Sequence, residues 1–243
     1  MTQLDTPRYG DDILAFEAGV ETRADFIRKT YLHLAGAILA FIGIELLIFR
    51  LVDVEAITNS MLGGYSWLIV LGLFMVVSWL AHSWASSATS IGIQYAGLSL
   101  YVLAQAVIFV PILFIANQLS LRTGGGNIIG TAALATILSF GGLTGFVFLT
   151  GKDFSWLRGA LVIAGIAALV LIVMSIILGF SLGILFTIVM IGLACGYILY
   201  DTSNVLHHYR IGQHVAASLS LFASVALLFW YMLRLLMYLN SRD

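Results

Sequence analysis

Seven apolar stretches, separated by short polar segments, occupy most of the 243-residue chain. The hydrocarbon core of a bilayer is about 30 Å thick, and a helix needs roughly 20 residues to cross it. The stretches therefore predict transmembrane helices, of which the second is the shortest. The seven predicted spans are Tyr31–Ile48, Ser66–Ala81, Ile91–Ile115, Ile128–Leu149, Trp156–Ile177, Leu182–Tyr200 and Val215–Leu239.

Composition supports a membrane location, because 61% of the residues are hydrophobic and only 9% are charged, which lies outside the soluble range. In lipid every backbone polar group must be paired internally, and α-helices achieve this. We therefore predict an all-α integral membrane protein. Residues 28–243 form a seven-transmembrane-helix bundle, and residues 1–27 form a cytoplasmic N-terminal tail. The tail lacks an apolar core, so we expect no cleavable signal peptide.

Several function classes are excluded by composition and by missing motifs. A net charge of -1 argues against a nucleic-acid partner. The single cysteine, Cys195, excludes an intramolecular disulfide. The chain has no HExxH, P-loop or dinucleotide fingerprint, and Lys29 and Lys152 lie outside the late spans, where a retinal Schiff base would need a lysine. We expect neither enzyme activity nor a resident cofactor.

Basic residues are distributed unequally between the two ends of the spans, and Lys and Arg favour cytoplasmic loops. The distribution places the N-terminus in the cytoplasm and the C-terminus outside. The side of the N-terminus carries Arg8, Arg23, Arg28, Lys29, Lys152, Arg158 and Arg210, and the opposite side carries Arg50, Arg122 and Arg242.

Small residues spaced i, i+4 allow helices to approach closely. Gly192 and Gly196 have this spacing in span six, and Gly141 and Gly145 have it in span four. Asp201 lies about 180° around span six from Gly192, so both faces of that span are used, and we expect a central helix six. The alternative is that glycine is simply frequent in membrane helices.

Three ionisable residues within the spans are candidate functional groups, because such residues are costly in lipid. Asp201 ends span six on the cytoplasmic side. Glu45 lies roughly 21 Å along the helix from Tyr31, in the outer half, and Arg234 lies at a similar depth, so we expect these two to approach each other. Alternatively, Arg234 extends to the outer headgroups and Arg50 stabilises Glu45.

Other polar positions suggest a path for cations. Tyr197 precedes Asp201 by one helical turn, and Ser220, Ser224 and Tyr231 share one face of span seven. All histidines fall at cytoplasmic ends of spans, where His207 and His208 are candidate pH modulators; the alternative is that they are ordinary interfacial residues. The histidines are His33, His82, His207, His208 and His214.

Four segments in order resemble the Bax inhibitor-1 family, and they resemble its bacterial YccA-like branch most. They are Phe26–Tyr31, Thr150–Leu157, Leu199–His207 and Ser220–Ser224, and the similarity covers about residues 20–240. The resemblance implies a seven-helix bundle in a bacterial inner (plasma) membrane. It also implies either a pH-gated calcium leak or the binding and restraint of a membrane-anchored AAA protease.

The family's pH-sensing pair consists of two aspartates, on helices six and seven. Asp201 matches the first, and the second position is occupied by Ser224. The resemblance therefore implies that Asp201 contacts span seven near Ser224 and is the best candidate for transient contact with calcium as a transported ion. Two functions remain open: a cation leak, and a regulator of an AAA protease that uses the acidic tail as a handle.

Overall fold

The computed structural model describes residues 13–87, 90–123 and 126–241. These residues form helices and loops, with one isolated β-bridge. Seven of the helices are long and apolar enough to span a membrane, which confirms the predicted fold class. The helices are α1 (Val20–Leu51), α2 (Val54–Leu62), α3 (Ser66–Ala85), α4 (Ile91–Thr123), α5 (Ile128–Thr150), α6 (Leu157–Leu178), α7 (Ile184–His207) and α8 (His214–Asn240).

The helices extend beyond the predicted spans wherever polar sequence continues them. Helix α1 begins at Val20, inside the segment predicted as a tail, and Asp25 stabilises this polar first part through ion pairs with Arg28 at 3.0 Å and Lys29 at 2.7 Å. Residues 1–12 of the tail lie outside the described residues, as does Arg242.

A short helix, α2, was not predicted and follows α1 directly. The Asp53 side chain accepts a hydrogen bond from the backbone N–H of Ala56 at 3.0 Å and caps this helix. An N-terminal cap satisfies one of the backbone donors that the first turn leaves free. Because α2 adds an eighth helix without crossing the membrane, predicted span six is α7 and span seven is α8.

Helix α8, rather than span six, forms the centre of the bundle. It packs against α1, α3, α4, α5 and α7, whereas the main neighbours of α7 are α5, α6 and α8. Its buried residues include polar ones, and the Ser218 hydroxyl donates to the Thr30 carbonyl of α1 at 2.7 Å. The expectation of a central helix six is therefore wrong. The spacing of glycines shows where small residues lie on a helix, but it does not show how many other helices pack against that helix.

The segment before α1 is attached to the loop between α7 and α8. Leu14 and Arg210 form the β-bridge, and the backbone N–H of Ala15 donates to the Tyr209 carbonyl at 2.9 Å. Ala15 is fully buried in this contact. Both segments therefore lie at the same end of the bundle, as seven spans require.

Close helix packing occurs at Gly97 of α4, which the glycine spacing did not indicate. A Cβ there would lie 2.5 Å from the Ala81 carbonyl oxygen and 2.6 Å from the Ala85 nitrogen of α3. Among the predicted positions only Gly196 meets a neighbour, the Leu161 side chain, while nothing lies within 4 Å of a Cβ at Gly141, Gly145 or Gly192.

We expect Gly97→Ala to destabilise the protein by about 1–3 kcal/mol, since backbone atoms of α3 must move to admit the methyl group. Thermal unfolding in detergent measures the effect. The matched control is Gly72→Ala in α3, where a Cβ meets nothing within 4 Å and alanine favours the helix. Equal melting temperatures for the two variants would contradict close packing at Gly97.

Candidate functional site

The centre of the candidate site is a hydrogen bond between α7 and α8. Asp201 is 8% exposed and Ser224 is 5% exposed, and the Ser224 hydroxyl donates to Oδ2 of Asp201. The prediction that Asp201 is buried against span seven near Ser224 is confirmed. One hydroxyl thus holds this carboxylate at the position where the family pattern has a second acid.

Two tyrosines lie near this carboxylate. Tyr101 of α4 and Tyr209, which follows α7, lie within electrostatic range of Asp201. Tyr101 is buried, and its ring meets the His82 ring edge-on at a centroid distance of 5.3 Å. Within the described residues, no group of three His, Cys, Asp or Glu side chains is placed to hold a metal ion. Asp201 therefore offers a single carboxylate in an enclosed polar site.

The other predicted inner residues have separate partners. The Tyr197 hydroxyl donates to the Leu161 carbonyl of α6 at 3.0 Å. Ser220 is hydrogen bonded to the Tyr209 hydroxyl at 2.9 Å. Ser220 and Ser224 are thus neighbours on α8 with different partners, and Tyr197 joins α7 to α6.

Glu45 is buried without a hydrogen-bond partner. It is 6% exposed, in α1, and neither of its carboxylate oxygens has a partner in the described part of the chain. The ion pair expected with Arg234 is not formed, and Arg50 does not supply one either. Equal depth along two helices does not fix which way each side chain faces around its helix, and that rotation decides the contact.

Arg234 is instead bound near the beginning of α7. Its Nη2 donates to the Leu182 carbonyl at 2.7 Å, and its guanidinium lies 5.9 Å from the centre of the Phe186 ring. Arg234 is half-buried, and Tyr231, one turn earlier, is almost fully buried. These residues lie in the half of the bundle away from Asp201.

The two histidines at the end of α7 have different environments. Nε2 of His207 is buried without a hydrogen-bond partner, whereas the exposed His208 donates from Nε2 to Oδ2 of Asp153 at 3.0 Å. Asp153 lies in the loop between α5 and α6 and also accepts from the Ser203 hydroxyl at 3.2 Å. The Ser203 hydroxyl in turn accepts from the Phe154 backbone N–H at 2.8 Å.

Sequence reasoning missed Asp153 and Ser203 as site residues. Both lie in segments that carry the family resemblance, so that pattern was the available signal. Desolvation raises the pKa of Asp153, but the hydrogen bonds from Ser155 and His208 outweigh it and lower the pKa to about 2. An ionised Asp153 therefore ties the loop between α5 and α6 to the end of α7.

Comparison with known proteins agrees with these features. The family model described as "Inhibitor of apoptosis-promoting Bax1" matches residues 23–242. The chain is 34% identical over 119 residues to a BI1-like protein of Arabidopsis thaliana, covering 46% of this chain and 45% of the relative. It is 32% identical over 124 residues to Modulator of FtsH protease YccA of Escherichia coli, covering 51% and 56%.

A longer alignment exists with Protein LIFEGUARD 4 of Arabidopsis thaliana, 28% identical over 222 residues, which covers 86% of this chain and 83% of the relative. The chain spans only about half the length of the first two relatives. No solved structure matches the chain.

We expect Asp153→Asn to lower thermal stability slightly at pH 5, by under about 1 kcal/mol, because the ion pair is partly exposed. The pKa of this carboxyl is lower in the folded protein than its ordinary value of 3.8. The stabilisation is therefore fully present above that value and disappears as the pH falls towards 2. In thermal melts, the difference between wild type and variant should shrink between pH 4 and pH 2. Glu17→Gln, which removes an exposed carboxylate, is the control. A stability difference between wild type and Asp153→Asn that does not change with pH would show that the ionised carboxylate of Asp153 does not hold the loop to α7.

Proposed function

Because the chain belongs to the Bax inhibitor-1 family, we propose that this integral membrane protein is a pH-sensitive leak for calcium or another cation. The observation that supports it is the buried Asp201 of α7, which is held by the Ser224 hydroxyl and not by a basic side chain. An ionisable residue in a membrane is costly and is a functional candidate for that reason. In this proposal Asp201 is the titrating group at the cytoplasmic end of the path.

The outer half of the path is assigned to Glu45, whose unpaired carboxylate oxygens are available to a cation. Between the two acids, aromatic rings fill the bundle. Phe41 of α1 meets Phe109 of α4 at 5.2 Å and Phe222 of α8 at 6.2 Å between ring centroids, both edge-to-face. We take this arrangement as the closed conformation, in which ion passage requires these helices to separate.

We expect Asp201→Asn to change calcium flux and to reduce its pH dependence, since the substitution keeps the shape and removes the titratable charge. The measurement is calcium flux into proteoliposomes at two pH values. With one carboxylate facing a serine, wild type should show a single, shallow pH dependence and not the two coupled steps of a carboxylate pair. His207 and His208 are the groups expected to modify it.

Asp25→Asn is the matched control, because it removes a partly exposed carboxylate near the beginning of α1 and should leave the flux unchanged. Equal flux and equal pH dependence in wild type and Asp201→Asn would contradict the role of Asp201. Absence of flux at either pH in wild type would contradict the leak itself.

A second candidate function is the regulation of a membrane-anchored AAA protease. It is favoured by the relative whose name is Modulator of FtsH protease YccA. Such a role needs binding surfaces and no path. The proposed handle is the acidic N-terminal tail, whose continuation at residues 13–15 is attached to the loop between α7 and α8. In this proposal residues 13–15 attach the handle to the bundle.

We expect an AAA protease to co-purify with the full chain from native membranes, and to be lost when residues 1–12 are removed. The handle lies before the attached segment, so the bundle itself should be unaffected, which a thermal melt checks. Asp201→Asn should retain the protease, because it alters the core and not the tail. Retention of the protease by the truncated chain would exclude the tail as the handle.

A further inference from the structure

A crevice opens between α3 and α6 in the outer half of the bundle. It has a volume of about 500 Å³, within the range of pockets that hold small ligands. Trp67, Leu71 and Phe74 of α3 form one wall, and Ile172 and Ile176 of α6 form the other. Since α6 packs mainly on α7, the space between these walls faces the lipid. The crevice is therefore accessible from within the bilayer.

The polar groups of the crevice are concentrated at its outer end. Arg234 and Tyr231 of α8 lie there beside Ser181 and Leu182 of the loop between α6 and α7. The hydrogen bond to the Leu182 carbonyl fixes the guanidinium and uses one of its five N–H donors. No carboxylate forms an ion pair with Arg234 in the described part of the chain. A cation at the edge of the membrane, held by this hydrogen bond and without an ion pair among the described residues, is complementary to an anion.

The remainder of the crevice is apolar and follows α8 inwards. Leu227 and Arg234, seven residues apart, both line it, so it extends roughly 10 Å along that helix. Trp67 and Trp230 are stacked in it, with ring centroids 6.2 Å apart. At its deep end Gln105 is 7% exposed, and its Oε1 has no hydrogen-bond partner.

Buried amide oxygens are normally hydrogen bonded, so the unpaired Oε1 of Gln105 is an acceptor that a donor in the crevice can use. Such a donor is either a water molecule or a hydroxyl group of a bound molecule. We propose that this crevice binds an anionic amphiphile with one acyl chain. The head group pairs with Arg234. The chain lies in the space that has Trp67 and Trp230 on one side and the wall of α6 on the other. The shared chemistry is an anionic head, either the carboxylate of a fatty acid or the phosphate of a single-chain phospholipid.

The probe is 11-bromoundecanoate, because bromine quenches tryptophan fluorescence at close range and two tryptophans line the crevice. Titration of the full chain in a non-ionic detergent should give saturable quenching. Replacing both tryptophans, Trp67→Phe with Trp230→Phe, should remove the saturable part and leave the linear quenching of the lipid-exposed tryptophans. The uncharged 11-bromoundecanol, which lacks the anion, should give only linear quenching.

We expect Arg234→Gln to weaken binding of the probe about tenfold, as loss of a charge-assisted hydrogen bond predicts. Arg50→Gln, which removes an exposed arginine at the outer end of α1, is the matched control and should bind as wild type does. Arg234→Lys keeps the charge, so it should retain part of the affinity. Thermal melts establish whether each variant is folded. If Arg234→Gln does not fold, the affinity of Arg234→Lys and the comparison with 11-bromoundecanol test whether the charge of Arg234 contributes to binding.

Competition distinguishes the two sources of the anion. Displacement of the probe by undecanoate alone assigns a carboxylate head, and displacement by a single-chain phosphatidylglycerol assigns a phosphate head. Equal quenching by bromoundecanol and bromoundecanoate would overturn the proposal, as would unchanged affinity in folded Arg234→Gln. The binding assay does not measure ion flux, so a negative result would not contradict the proposed leak.

Discussion

The arrangement of the half of the bundle that holds Asp201 depends on the hydrogen bond by which Ser224 holds the carboxylate of this residue. A buried carboxylate without a partner is strongly unfavourable, so α7 and α8 must stay in the register that keeps these two groups together. Because α8 also packs on α1, α3, α4 and α5, that register is transmitted to most of the bundle. The hydroxyl, unlike a second acid, adds no repulsion between like charges.

Polar contacts between helices are concentrated at this same end. The Ser218 hydroxyl joins α8 to α1, and Ser203 and His208 join the end of α7 to Asp153. The segment at Ala15 is bound to the carbonyl of Tyr209. Interhelical hydrogen bonds in membranes contribute about 1 kcal/mol each. Several of them at one end make that end the more firmly connected one.

Hydropathy located the helices because it reports the residues that lie in hydrocarbon. Three helices, α3, α4 and α5, begin at the predicted residues Ser66, Ile91 and Ile128. The ends were less well predicted, because a helix continues through polar sequence once its hydrogen bonds are formed, as α7 does from Tyr200 to His207. Helix α2 was missed because it is short and does not span the membrane.

A contact in the site could be predicted only where the sequence pattern indicated the direction in which a side chain points from its helix axis. The family resemblance aligned Asp201 with a position on α8, and that contact was found. The contact between Glu45 and Arg234 was predicted from their similar depth in the membrane alone. It is not formed, because the two side chains face different surroundings. The centrality of α8 was hidden because its buried small residues, such as Ala216 and Ala217, differ little in hydropathy from residues that face lipid.

The half of the bundle that holds Glu45 and Arg234 is packed differently from the half around Asp201. A crevice separates α3 from α6 there. Apolar packing in lipid gains little from the hydrophobic effect, because lipid tails are as apolar as the helices. Separation of helices in the half around Glu45 therefore costs less than separation around Asp201. In the proposed leak, opening should therefore begin with separation of α1, α4 and α8 at the rings of Phe41, Phe109 and Phe222, while the bond between Asp201 and Ser224 remains as the inner closure.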